Sequence, residues 1–187
     1  MENINDTLRD IRKEFFAFRN GIVAERLRTA GDPHPVIMGC LLADVAAIAQ
    51  RHRGEMADDN ARAAVAQALW DDTNSRECRL AAPMIYPAEM MTEPAALQWC
   101  STVETVEIAD NLCHKLLRHM ADGEAIFSTL ITSGEPMARY TGFRLLNNLL
   151  MLGKVHSTPS LRAVVEDSLN NAQPPLAALL KDILEEL

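Results

Sequence analysis

The sequence is poor in whatever would build sheets, metal centres or a membrane anchor. Its 187 residues show no sustained alternation of apolar and polar side chains and no hairpin pattern, so strands are not expected. Cysteine is limited to Cys40, Cys78, Cys100 and Cys113, at irregular spacing in apolar stretches and with no CxxC pair. That excludes the usual zinc and thiol-redox motifs and predicts buried, reduced thiols, as in the cytoplasm. HExxH is absent, and His114 and His119 are five apart, the wrong interval for a metal pair on a helix. No metal and no cofactor are expected. The charged N-terminus has no apolar signal core, and no run reaches transmembrane length, so a soluble intracellular protein with no membrane partner is expected. Aromatics are 5% of the chain; Trp70 and Trp99 are expected to pack in the core. Net charge is −8, from 18 Lys and Arg against 26 Asp and Glu, which argues against indiscriminate adhesion to nucleic acid or anionic lipid but leaves room for a local basic strip.

What is present is helix. Hydrophobic residues make up 48%, enough for a substantial core. Breaks such as GDPHP (31–35), DDTNS (71–75), TEP (92–94), SGEP (133–136) and AQPP (172–175) punctuate helical periodicity. About nine or ten helices joined by short turns are expected, as antiparallel neighbours in a bundle or a stack of pairs. A weak internal repeat favours the stack. NSRECRLAAPM (74–84), TVETVEIADNL (102–112) and GEPMARYTGFR (134–144) align at offsets of 28 and 32 residues. In this register Arg79, Glu107 and Arg139 are equivalent, a ladder of basic, acidic and basic charge.

Two helices carry the chemistry. From Glu104 to Met120 an apolar stripe (Val106, Ala109, Leu112, Cys113, Leu116, Leu117, Met120) opposes a polar face of Glu104, Glu107, Asn111, His114 and Arg118. Acids first and bases last also suits the dipole of an ordinary solvated helix. In the next inner helix, Pro136 to Met151, Arg139 falls on the line of Phe143, Leu146 and Leu150. A guanidinium there needs a partner, and the repeat register offers Glu107; an Arg that snorkels to a local ion pair is the alternative. Arg76, Arg79, Lys115, Arg118, Arg139, Arg144 and Lys154 would line one groove if the inner helices share a face; scattered solvation is the alternative.

Four stretches in order resemble the DNA alkylation repair family of the AlkD type: VIMGCLLADVAAIAQRH (36–52), ALWDDTNSRECRLAAPMIY (68–86), TVETVEIA (102–109) and MARYTGFRLL (137–146). The third is similar to its Trp-Asp-x-Val-Asp signature and the fourth to its Arg-Arg-Thr-Ala helix. The resemblance implies an all-α fold: an α-solenoid of HEAT-like antiparallel helix pairs, a curved right-handed superhelical stack forming a single domain over 1–187, with duplex DNA in its concave groove. It places the catalytic acid on Glu107 and the essential Arg on Arg139; Arg79, Arg118 and Arg144, from the basic residues named above, are the expected DNA-binding residues. It implies hydrolytic excision of N3- or N7-alkylated purines without metal. Val103 stands where the signature has Trp, and Glu107 where it has Asp. Two readings therefore stand: an alkylpurine DNA glycosylase, or a catalytically silent helical-repeat module binding a protein partner or an unusual DNA structure.

Overall fold

The computed structural model describes residues 4–187 and is helical throughout. Eleven α-helices and two single 3-10 turns are present, and no strand occurs among the described residues; an isolated parallel bridge joins Val36 to Ser75. No helix among them is long and apolar enough to cross a membrane. The chain forms two compact units, Met1–Met91 and Thr92–Leu187.

The first unit holds α1 (Ile4–Ala17), α2 (Gly21–Thr29), α3 (Leu42–Glu55), α4 (Asp59–Asp71) and α5 (Arg76–Ile85). Helix α5 packs on α3 and α4, and α1 packs on the same two. All but one residue of α5 is buried, including Arg76, Glu77 and Arg79. Glu77 accepts from the Met38 and Gly39 amides at 3.1 and 3.0 Å and from Arg76 Nη1 at 2.8 Å. Arg76 Nη1 also reaches the Cys40 carbonyl at 3.3 Å, so one buried ion pair ties the loop before α3 to the first turn of α5. Gly39 makes this possible: its φ is +76°, and a Cβ there would lie 2.2 Å from the Asn20 carbonyl oxygen.

The second unit holds α6 (Glu93–Ser101), α7 (Val106–Lys115), α8 (Gly123–Ile131), α9 (Pro136–Met151), α10 (Pro159–Asn170) and α11 (Leu176–Glu186). Pro136 opens α9, where its missing N–H costs nothing. Helices α8 and α9 form an antiparallel pair: Gly142 meets Leu130 and Ile131, while Gly123 meets Leu149. A Cβ on Gly142 would stand 2.7 Å from Leu130 Cβ, so the glycine sets how closely the pair approaches. Helices α7 and α11 also pack on α9, and α10 pairs with α11. The core here is Leu112, Leu116, Ile126, Phe143, Leu145 and Leu146, all fully buried.

The helix count exceeds the expectation for a local reason. Asn20 caps α2 by accepting from the Ile22 and Val23 amides, making a break at Asn20-Gly21. Thr105 caps α7 through the Ile108 amide, which separates α6 from α7. Helix α7 is also shorter than its apolar stripe: Leu116 leaves helical geometry and a 3-10 turn follows over Leu117–His119. Trp70 and Trp99 are buried as expected. All four cysteines are free and buried, and desolvation raises every thiol, Cys40 and Cys78 to about 11 and Cys100 to about 12.

Candidate functional site

The polar side chains that matter most lie along α7 and α9. Asp110, on the second turn of α7, accepts from Arg144 Nε at 2.6 Å and Nη2 at 2.8 Å. It also accepts from the Tyr140 hydroxyl at 2.9 Å. Two parallel bonds from one planar fork make this a strong, oriented pair. The Asp110 hydrogen bond is the main reason the Arg144 guanidinium is held more firmly protonated than usual. Burial, then Asp110, raises the Tyr140 phenol. Farther along, the Cys113 thiol donates to the Thr141 carbonyl, and Lys154 Nζ donates to the Arg118 carbonyl.

These contacts define the register of the two helices. The separations in sequence are 30 and 34 at Asp110, 28 at Cys113 and 36 at Arg118. Asp110 meets α9 at 140 and 144, Cys113 meets it at 141, and Arg118 meets Lys154 beyond its end, so the contacts span offsets of 28 to 36, a range that includes the 32 between Glu107 and Arg139. They are not directly paired: Arg139 makes no ion pair or side-chain hydrogen bond with any described residue. Both are half-buried. Arg139 instead lines a cavity of about 280 Å³ with Gly134, Tyr140, Asn171, Gln173 and Leu176, and its Nε is buried there without an acceptor.

The other candidates divide sharply. Arg79 is 1% exposed; it donates to the Trp70 carbonyl at 2.8 Å and its guanidinium lies 3.7 Å from the Trp70 ring centroid. Its position is that of a core-packing cation rather than a surface one. Arg144 is engaged by Asp110. Arg118 is half-buried and unpaired with any carboxylate among the described residues; its Nε meets His119 Nε2 at 3.3 Å. Asp110 is the residue sequence reasoning passed over. It stands three residues after Glu107 on the same polar face, and only packing against α9 reveals its partners. Val103, at the signature's aromatic position, is buried.

Helix pairs laid side by side define the class: a helical-repeat fold of the HEAT-like type. In three dimensions the chain is similar to a solved member of a family described as related to the HEAT-like repeat DNA glycosylases, with affinity for branched DNA structures. The TM-score is 0.76 at 14% identity, covering 96% of this chain and 74% of that one. No curated protein sequence matches significantly. The family profile described as DNA alkylation repair enzyme matches residues 11–173, and the chain belongs to that family.

Proposed function

We propose that this protein binds DNA through backbone phosphates, with Arg139 as the central contact, and prefers branched DNA to linear duplex. The observation that carries the reading is Arg139 itself: a half-buried guanidinium facing a cavity, with no counter-charge among the described residues. Its Nη groups keep their donors, and a phosphate oxygen entering the cavity would take a charge-assisted bond from them. Preference for branched DNA is supported by the fold shared with relatives of that affinity. Val103 points the same way, since it offers no ring against which a lesion base would stack.

The test compares a four-way junction with a linear duplex at fixed low salt. Tighter junction binding and a loss on the order of tenfold in Arg139→Gln are expected, as for a charged hydrogen bond. Equal affinities would remove the branch preference. No binding to either would leave a protein partner as the ligand.

A second reading, excision of N3- or N7-alkylated purines from duplex DNA, is favoured by the α7–α9 contacts, whose offsets bracket the 32 residues between Glu107 and Arg139. A carboxylate there would stabilise an oxocarbenium-like sugar or orient water while Arg139 holds the adjacent phosphate. Release of 7-methylguanine from alkylated duplex, lost in Glu107→Gln, is its signature. Release no faster than the uncatalysed rate rejects it.

A further inference from the structure

Positive charge gathers where α7 ends. Lys115 closes the helix, Arg118 and His119 sit in the 3-10 turn that follows, His114 is one turn after Asp110, and Lys154 arrives from beyond α9 to bond the Arg118 carbonyl at 2.7 Å. Lys115, Arg118 and Lys154 make no ion pair with any described residue. Elsewhere in this acidic chain most cations meet carboxylates, as in Arg12–Asp72, Arg51–Glu14, Arg62–Asp59 and Arg76–Glu77. A helix C-terminus carries only about half a negative charge, so its carbonyls account for one of these cations and not for three. Burial, then Arg118, Lys115, His119 and Arg144, disfavour the His114 imidazolium.

We propose that this cluster, built on Lys115, Arg118 and Lys154, is a second phosphate-binding site that grips the DNA backbone away from Arg139. The DNA half of the statement rests on the function proposed above. At 1.5 Å per residue, Lys115 lies about 12 Å along α7 from Glu107. That is about three to four base-pair steps at 3.4 Å each, enough to meet a different phosphate. Lys154 keeps two N–H donors after its bond to the Arg118 carbonyl, and the Arg118 Nη groups are unengaged among the described residues, so both have donors to spare.

The test follows the ring signals of His114 and His119 by NMR in the intact chain as pyrophosphate is added at constant ionic strength. A saturable shift of both rings, lost in the Lys115→Gln/Arg118→Gln variant, is expected. An unsaturable response, or one unchanged in the variant, overturns the site. A polyglutamate peptide that shifts the rings where pyrophosphate does not would make the ligand an acidic protein and also overturn it. Salt dependence of duplex binding separates the two ideas. The slope of log K against log salt should flatten by about 0.9 for each phosphate contact removed, or about 1.8 for two. An unchanged slope rejects the cluster as a DNA contact while leaving Arg139 untouched. Saturable pyrophosphate binding by a wild type that binds no DNA at low salt keeps the anion site and rejects DNA as its source.

Discussion

The two units treat buried charge in opposite ways. In the first, Arg76 and Glu77 neutralise each other and spend their remaining bonds on Met38, Gly39 and Cys40. In the second, Arg139 faces a cavity without a partner, and the cations at the end of α7 have no carboxylate beside them. A closed pair fixes a loop; an open cation keeps its donors unspent. The contrast separates stability from binding, and substitutions can break it.

The largest loss is expected from Glu77→Ala. It strands a buried guanidinium and two amides, and urea unfolding should show about 3–5 kcal/mol of destabilisation. A loss under about 1 kcal/mol would mean the pair is not the clamp of the first unit. Gly39→Ala comes next: a positive φ and a contact with the Asn20 carbonyl predict roughly 2 kcal/mol or more, measured the same way. Both units should then respond alike to alkali. Cys78 and Cys100 are buried as thiols, and their folded values are raised from 9.0 to about 11 and about 12. The unfolded chain releases those protons first, so stability falls as pH rises from about 9, with a slope of up to about 1.4 kcal/mol per pH unit for each thiol. A melting temperature that is flat from pH 8 to about 10.5 would contradict this burial. Asp110→Asn in the second unit should cost only about 1 kcal/mol, because that pair is partly solvent-screened. Arg139→Ala should change stability by under about 0.5 kcal/mol while weakening DNA binding, the reverse of Glu77→Ala. A cost of several kcal/mol at Arg139 would return it to the structural class.

The outline of the fold was legible because helical period and breakers are local signals. Helix α9 runs from Pro136 to Met151, the bounds its proline and apolar line predicted. The stripe from Val106 to Met120 is buried apart from Val106, although the helix itself stops at Lys115. The missed boundary, at Asn20, is a single capping side chain within otherwise helical pattern. The site was legible only in part. The repeat offset of 32 lies within the 28 to 36 spanned by the α7–α9 contacts, yet the ion pair it suggested does not form. Register fixes the level of a side chain along a helix but not the direction in which a long, flexible guanidinium turns. Asp110 escaped notice for the complementary reason: its partners lie 30 and 34 residues away, and nothing near it in the chain announces them.

By itself the amino-acid order determined that this protein is a succession of amphipathic helices with reduced thiols inside and an acidic surplus of charge, because each of those follows from neighbours a few positions apart. Which cations are consumed within the fold and which stay unpaired among the described residues was decided by tertiary packing. Arg79 vanished beneath Trp70, Arg144 was taken by Asp110, and Arg139 and Arg118 were left open. The physical reason is that a charge is satisfied or stranded by what lies within a few ångströms of it, and that distance is set by how helices far apart in sequence come to lie side by side.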